Sequence, residues 1–401
     1  MLKQILCFAF VITQFICMPS LGESWNCQIL PSEQRLETDP DSGARVVFAT
    51  TNAASDTNFY FHERCFMWDN RLLLFNSDRF GRSEIMGYLL DTGELVRLKR
   101  PEDPAVGGRV ASIKGDRLYV EKNGSFFEWA LEIALKSSTS VLLTERKLAD
   151  MPLGANRRSS LDENCDGSLL TYAYELNGEH YIGFCDTAAG TLLPSAKIGF
   201  KIDHLQFHKH RPDIVSFSRT YETGGDWAPS DPVDPTRARI WTMNVSTRAP
   251  IPSFFQVPGE LATHECWWVN DQMTFIGGHH RDGDREEGNV KVLDFKTGEI
   301  RIIGAGAWVD GASAAEISKV NWWHASGGPD GKWVVADNWH GIVALFNAKT
   351  TEKKILSTKH RTYGSGSHLH AGWDLQGRHV ELTSNRFGNP DVCIIDVPEG
   401  W

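Results

Sequence analysis

Histidine is the side chain of this sequence that recurs most regularly and has the most chemistry to offer. Five of the fourteen histidines stand nine to eleven residues ahead of a predicted strand, so one register of a repeated pattern is filled five times. These five are His62, His204, His264, His324 and His368. Imidazole transfers protons near neutral pH and, when neutral, binds divalent metals. The repetition therefore predicts a shared site for proton transfer, for a metal, or for both.

The last two copies of this register offer a possible metal site. His368 and His370 are two residues apart, and alternate residues of a strand face the same side. With His324 they supply three nitrogen ligands and leave open positions, as catalytic metal sites do. Any one of these aromatic-flanked rings could equally be a hydrogen-bonded core histidine. The prediction therefore depends on the cluster and not on a single residue.

Seven turn-and-strand units must position these side chains. Turn signals such as Lys114-Gly-Asp, Arg211-Pro-Asp and Pro329-Asp-Gly precede runs rich in β-branched and aromatic residues. Further short strands follow in each unit. About four strands per ~40–50 residues are typical of propeller blades. We predict an all-β fold, a seven-bladed β-propeller, in which equal register brings side chains together at the central channel.

The second and third units carry arginine where the other five carry histidine. Arg109 and Arg158 occupy that position. We expect these two cations to line the channel together with His62 and His204 and to contact a bound ligand. The predicted ring thus combines guanidinium and imidazole groups around one axis.

The N-terminus predicts export. Residues 1–22 combine a basic start, a short apolar run and small residues before a plausible cleavage point, which is typical of a signal peptide. We expect residues 23–401 to form a single propeller domain that is secreted or periplasmic and monomeric. No later segment is apolar for long enough to span a bilayer, so we expect no membrane partner.

The overall charge narrows the class of ligand. The formal net charge is −10, and no stripe of lysine or arginine appears along the sequence. Nucleic-acid binding requires a basic surface, so we expect no nucleic-acid partner. A few focused cations in the channel would still suffice to bind an anionic sugar.

With these motifs the sequence resembles the oligogalacturonate lyase family and related propeller-fold polysaccharide lyases. The resemblance runs from about Asn58 to the C-terminus and is strongest in the second half. The segments that carry it are His204-Leu-Gln-Phe-His208, Arg239-Ile-Trp241, His264-Glu-x-Trp267, Trp323-His324, His368-x-His370 and Thr383-Ser-Asn385-Arg386-Phe-Gly388.

The resemblance implies a role for each of these residues. His324, His368 and His370 would hold a divalent metal, manganese in the first place, with calcium or zinc as alternatives. His264 would be the Brønsted base, and Arg239 would contact a substrate carboxylate. The implied substrate is an anionic oligo- or polysaccharide that contains a uronic acid.

Two departures from the family pattern bear on these roles. Family members have a glutamine three residues before the H-x-H motif, where this chain has Ser365. A hydroxyl is a poorer ligand, so we expect a metal that binds more weakly, differs in identity or is absent. The second departure is export, because oligogalacturonate lyases proper are cytoplasmic, whereas other uronate lyases with propeller folds are secreted.

The chemistry of β-elimination accounts for these residue types. A base removes the C5 proton of a uronic acid only when cations neutralise the neighbouring carboxylate. An acid then assists the leaving oxygen, and Tyr221, also a candidate substrate contact, and Tyr363 are the candidate acids. A non-catalytic propeller that binds a glycan or protein is the alternative. A glycoside hydrolase would need facing carboxylates instead.

Overall fold

Short antiparallel strands form nearly all of the regular structure. The computed structural model describes residues 22–135, 138–220, 238–256, 259–282 and 285–401, and these contain seven sheets of four or five strands. The one helix within these ranges is α1 (Ala314–Ile317), which is capped by Ser313. No helix of the described part of the chain has the length and apolar character needed to cross a membrane.

The strands follow one another along the chain in eight groups. The N-terminal group contains β1 (Glu23–Asn26), β2 (Gln28–Leu30), β3 (Arg35–Thr38) and β4 (Arg45–Phe48). The next contains β5 (Asp56–Thr57), β6 (Leu72–Ser77), β7 (Glu84–Leu89) and β8 (Leu95–Arg97). Then come β9 (Arg109–Ala111), β10 (Arg117–Lys122), β11 (Ser125–Ala134) and β12 (Ser140–Asp150). The fourth group contains β13 (Asn156–Arg157), β14 (Asp162–Glu163), β15 (Leu169–Leu176), β16 (Glu179–Asp186) and β17 (Thr191–Ile198).

The second half of the chain supplies the remaining four groups. The fifth contains β18 (Ile202–Phe207), β19 (Ile214–Arg219), β20 (Ile240–Asn244) and β21 (Pro250–Phe254). The sixth contains β22 (Glu260–Trp267), β23 (Gln272–Asp282), β24 (Arg285–Glu286), β25 (Asn289–Asp294) and β26 (Ile300–Gly304). The seventh contains β27 (His324–Gly327), β28 (Trp333–Asp337), β29 (Val343–Asn347) and β30 (Lys353–Ser357). The last contains β31 (Gly372–Trp373), β32 (His379–Ser384) and β33 (Asp391–Asp396).

The seven sheets form a closed ring. We number them blades 1 to 7 in chain order, starting with the sheet that contains β5. The first strands of neighbouring blades contact each other, as β18 contacts β22, β22 contacts β27 and β27 contacts β31. Contact of β5 with β32 joins blade 7 to blade 1. The predicted seven-bladed β-propeller is therefore confirmed, and the first strand of each blade is innermost.

The local strand predictions are also confirmed. Strands begin at Leu72, Ile214, Trp333 and His379, where the turn signals placed them, and Met273 is the second residue of β23. Each of these strands pairs with the innermost strand of its own blade. The histidine register therefore falls on or beside the innermost strands.

Closure of the ring uses N-terminal strands that the repeat pattern did not predict. β1 pairs with β12 in blade 2, β2 pairs with β8 in blade 1, and β4 pairs with β33 in blade 7. One segment thus completes the outer edges of three consecutive blades. Blade 7 is built from both ends of the described chain, which ties the first strands to the last.

Apolar side chains pack between neighbouring blades. Val335 and Leu345 of blade 6 share a buried cluster with Leu382 and Cys393 of blade 7. Each strand alternates its side chains between two faces, and each face packs on a neighbouring blade. Consequently the second and third strands are buried on both sides, as the fully buried pattern of β28 illustrates.

One irregular stretch occupies the central channel. After β5 ends, residues 58–63, here called the axial segment, leave the sheet instead of continuing as an innermost strand. Blade 7 anchors this segment, because the Asn58 amide donates to the His370 carbonyl oxygen at 2.7 Å and accepts from the Thr383 hydroxyl at 2.6 Å. Tyr60 follows this anchor in the chain, and its ring lies next to histidines of blades 4, 5, 6 and 7.

Candidate active site

Backbone irregularities aim three of the histidines into the channel. His204, His264 and His370 have backbone φ angles of 46°, 55° and 51°, which residues other than glycine seldom adopt. The strand register shifts at the first two positions, between Asp203 and Gln206 in β18 and at the equivalent place in β22. Such bulges re-aim a side chain, and strain of this kind, of order 1–3 kcal/mol per residue, is concentrated at functional sites.

Three imidazoles meet in a group that could hold a metal ion. One nitrogen from each of His324, His368 and His370 lies within 4.8 Å of the others. The Asp337 carboxylate lies 2.9 Å from Nδ1 of His324 and accepts a hydrogen bond from its N–H group, which leaves the lone pair on Nε2. That Nε2 is buried and has no hydrogen-bond partner. The carboxylate–histidine pair and the unsatisfied nitrogen are what a metal ligand requires.

Ser365 does not join this group. Its hydroxyl donates to the Thr362 carbonyl oxygen at 2.8 Å and lies 3.1 Å from that of Ser367. These bonds close the loop that precedes the H-x-H motif. The three histidines are therefore the candidate ligands of this region, and the effect of Ser365 on the metal stays a prediction.

The predicted base lies directly beside the metal-ligand candidates. The ring centroid of His264 is 4.4 Å from that of His324 and 5.0 Å from that of Trp323. The His264 side chain is largely buried, with 7% of its surface exposed. The structure thus brings the predicted base and the predicted metal ligands of blades 5, 6 and 7 into one cluster of neighbouring rings.

Arg239 belongs to a buried ion-pair chain behind this pocket. Its Nε donates to the Glu265 carboxylate at 2.6 Å, and the other oxygen of that carboxylate accepts from Nδ1 of His204 at 2.6 Å. Arg239 itself has no exposed surface. Burial acts to raise the pKa of Glu265, but the charge of Arg239 and the hydrogen bonds from His204 and Arg239 outweigh it and hold that pKa well below its usual range.

The protonation states of the histidines differ around the ring. Burial lowers the pKa of His62, His324, His368 and His370, which favours neutral rings. Burial also acts to lower the pKa of His204, but the hydrogen bond and charge of Glu265 outweigh it and raise that pKa. The pocket therefore offers neutral imidazoles on the metal side and a more basic imidazole on the Glu265 side.

The four predicted substrate contacts that lie within the described residues line a common cavity. His62, His204, Arg109 and Arg158 surround a space of about 440 Å³ at the channel. Arg109 lies 3.4 Å from Glu63 and above the ring of Phe59, and Arg158 pairs with Glu175 at 2.6 Å. Both guanidinium groups therefore have acidic partners. These residues stay predicted substrate contacts.

Tyr363, one of the two candidate acids, lies away from the histidine register. Tyr363 is half exposed and stacks on His340 at 4.6 Å, without contact to the five histidines of the register. Tyr221 lies outside the described residues. Neither tyrosine can be placed in the pocket.

Tyr60 is the pocket residue that the sequence interpretation missed. Its ring centroid lies 4.7 Å from His370, 5.8 Å from His204, 6.0 Å from His324 and 6.2 Å from His264. The available signal was the aromatic run beside His62, which resembles buried core and gives no turn or strand pattern. Glu265 and Asp337 were missed as well, because a strand sequence does not show which buried acid pairs with which histidine.

Comparison with known proteins supports the fold. No protein-family model matches the sequence, and no curated protein matches it. An oligogalacturonate lyase in complex with manganese superposes with a TM-score of 0.71 at 18% identity, over 93% of this chain and 98% of that chain. The oligogalacturonate lyase of Vibrio parahaemolyticus gives 0.69 at 18% identity, over 95% of this chain and 100% of that chain.

A more distant likeness shows how widely the architecture occurs. A chain of a mitotic checkpoint complex matches with a TM-score of 0.51 at 10% identity, over 99% of both chains. A shared fold does not give a shared activity. By its described structure, this chain is a seven-bladed β-propeller with the architecture of the oligogalacturonate lyases.

Proposed function

We propose that this protein is a secreted lyase that cleaves a uronic-acid-containing oligo- or polysaccharide by β-elimination. The observation that carries the proposal is the placement of His264 4.4 Å, between ring centroids, from His324 of the three-histidine group. A base next to a candidate metal site suits proton removal α to a carboxylate. The likeness in fold to the two oligogalacturonate lyases supports the same reaction class.

The chain of this protein supplies the placement of a metal ion. A bound divalent ion, which we propose to be manganese, would neutralise the substrate carboxylate next to the reacting carbon. His324, His368 and His370 would hold it. Asp337 fixes the His324 ring in the tautomer that leaves Nε2 available for the ion.

His264 takes the C5 proton of the uronic acid. Its left-handed backbone conformation and its contact with Trp323 fix the ring at the channel wall. A fixed base within reach of the substrate removes part of the entropy cost of proton transfer. Loss of the C5 proton, formation of the C4–C5 double bond and departure of the C4 oxygen complete the elimination.

Arg239 has a supporting position in this proposal. Its bonds to Glu265 and to the carbonyl oxygen of Arg219 lie behind the histidine ring. A substrate carboxylate would have to compete with these partners. We therefore assign Arg239 chiefly to holding Glu265 and, through it, His204, while direct contact with the substrate stays a prediction.

The test of the base is the exchange of His264 for asparagine. We expect turnover of a uronate substrate to fall about 10²–10⁴-fold, the usual contribution of a positioned base, measured as ultraviolet absorbance of the unsaturated product. The matched control is His180→Asn, which lies in β16, two strands outward from the channel, and should keep wild-type turnover. Wild-type turnover in the His264→Asn protein would refute the assignment.

A substrate and metal screen tests the reaction class. The purified protein should release unsaturated uronate from one or more of polygalacturonate, ulvan, glucuronan and rhamnose-capped arabinogalactan. Removal of metal with EDTA should abolish this release, and added Mn²⁺ should restore it. Silence on every uronate would favour the alternative, a non-catalytic propeller that binds a glycan or a protein.

A further inference from the structure

We propose that Tyr60 is the general acid of this site, donating its hydroxyl proton to the C4 oxygen that leaves the uronic acid. The inference rests on the proposed lyase function and deepens it by naming the second proton-transfer group. The axial segment, rather than a blade, would thus supply a reacting side chain.

The position of Tyr60 is the first argument. The residue stands at the centre of the histidine ring, within 6.2 Å, between ring centroids, of His204, His264, His324 and His370. It also lines the 440 Å³ cavity that holds the predicted substrate contacts. A side chain that touches both the histidines and the open cavity can reach a bound sugar.

The chemistry of its neighbours is the second argument. The Tyr60 hydroxyl lies 3.4 Å from Nε2 of His204, whose Nδ1 proton is accepted by Glu265 at 2.6 Å. A neutral His204 can accept a hydrogen bond from Tyr60 through Nε2, and a protonated one can donate to a tyrosinate. His204 can therefore stabilise the charge that appears on the Tyr60 oxygen when its proton leaves.

Glu265, held by Arg239, fixes the position of His204 and raises its basicity. The hydrogen bond and charge of Glu265 raise the pKa of His204 despite burial. Arg239 fixes that carboxylate at 2.6 Å. A hydrogen-bonded acid next to an imidazole oriented by a carboxylate is a recurrent proton-transfer arrangement. No group of this chain is thereby consumed.

The spacing of acid and base suits the reaction. The protons move at adjacent carbons, because C5 loses one and the oxygen on C4 gains one. Tyr60 and His264 lie with ring centroids 6.2 Å apart, a separation that a single sugar residue can span. The C5–H bond breaks with its proton passing to His264, the C4–O bond breaks with its electron pair passing to oxygen, and Tyr60 protonates that oxygen. Water returns the proton to Tyr60 and removes the one on His264.

Other described tyrosines do not have this position. The sequence has eight tyrosines, of which Tyr221 alone falls outside the described residues. Within the described ranges, Tyr60 is the one whose ring contacts the histidines of the register. Tyr172 and Tyr174, by contrast, are buried in β15 among the apolar residues of blade 3.

The test compares two leaving groups in the Tyr60→Phe protein. With a glycosidic bond at C4, we expect turnover to fall about 10²–10⁴-fold, because the leaving alkoxide needs a proton. With a nitrophenol at C4, the leaving group needs no proton. Turnover of that substrate by the Tyr60→Phe protein should therefore stay within about tenfold of wild type. Tyr181→Phe, in β16 and two strands outward from the innermost strand of its blade, is the matched control and should behave as wild type on both substrates.

Three other results would be decisive in different ways. Equal loss on both substrates, or no loss on either, would overturn the assignment of the acid. If the wild type itself eliminates neither leaving group, the proposed function fails, and the acid role fails with it. If the Tyr60→Phe protein does not fold, 3-fluorotyrosine at position 60 keeps the shape of the side chain and changes the acidity of its hydroxyl. We then expect a change in turnover of the glycosidic substrate and none for the nitrophenol substrate.

Discussion

At the scale of single residues, the structure separates the candidate metal ligands from the groups that orient them. His324 points a proton at Asp337 through Nδ1 and keeps Nε2 free of hydrogen bonds. Asp337 also accepts from the backbone N–H of Ala371 at 3.0 Å, which fixes the carboxylate. The imidazole orientation is therefore set before any metal arrives.

This orientation predicts the effect of Asp337→Asn on metal binding. The amide retains an acceptor but loses the negative charge and can rotate. We expect affinity for Mn²⁺ to fall about 10–100-fold, the usual effect of losing an outer-shell partner. Titration calorimetry on the folded protein measures it.

The matched control for this change is Asp330→Asn. Asp330 is exposed in a turn of the same blade, where it accepts from the backbone of Lys332. Its exchange should leave affinity for Mn²⁺ unchanged. Equal affinities in all three proteins would show that Asp337 does not support a metal ligand.

At the scale of single elements, β32 carries an unusual buried acid. Glu381 pairs with Gly372 of the innermost strand and lies beside the Cys65 thiol. Burial raises the pKa of Glu381 from an ordinary 4.5 to about 8. Gly372 leaves room for this carboxyl group, because a Cβ at that position would lie 2.3 Å from its oxygen and the Glu381 side chain would have to shift.

The raised pKa predicts how stability changes with pH. The folded state keeps a proton on Glu381 that the unfolded state releases above about 4.5. This residue's contribution to the free energy of unfolding should therefore be full at low pH and fall as pH rises from 4.5 to 8. One such group gives a slope of about 1.4 kcal/mol per pH unit.

Urea unfolding across this range tests that slope. Glu381→Gln removes the titrating group and should flatten the dependence, which makes the variant relatively more stable at pH 8 than at pH 5. The exposed Glu299→Gln protein should follow the wild-type curve. Parallel curves for wild type and Glu381→Gln would contradict the prediction.

At the scale of the whole molecule, the N-terminal strands hold the ring together. Val46, Val47 and Phe48 of β4 are buried between β3 and β33. β1 and β2, by contrast, add outer edges to blades 2 and 1 whose side chains are exposed or half-buried. The same short segment therefore has one structurally critical strand pair and two peripheral strands.

This difference predicts a graded effect of truncation. A chain that starts at residue 34 loses β1 and β2 and should unfold at a modestly lower temperature than one that starts at residue 22. A chain that starts at residue 49 also loses the three buried side chains of β4, Val46, Val47 and Phe48, each worth about 1.5–3 kcal/mol. We expect it to lose at least ~5 kcal/mol of unfolding free energy on that basis, measured by calorimetry and urea titration. Equal stability of the chains that start at residues 34 and 49 would show that β4 does not close the ring.

Local patterns in the sequence determined the blades and the histidine register. Strand alternation and turn residues act within a few positions, so the starts at Leu72, Ile214 and Trp333 could be read directly. The period of the repeat then predicted that His264 and His324 would converge. Neither prediction required knowledge of contacts between distant parts of the chain.

Only the tertiary structure decided what fills the channel and what pairs behind it. Tyr60 reaches the histidines because the axial segment leaves its sheet, and Glu265 joins His204 to Arg239 across two blades. The N-terminal strands likewise pair with partners far along the chain. Such contacts depend on where strands of different blades end in space, and no local periodicity encodes that.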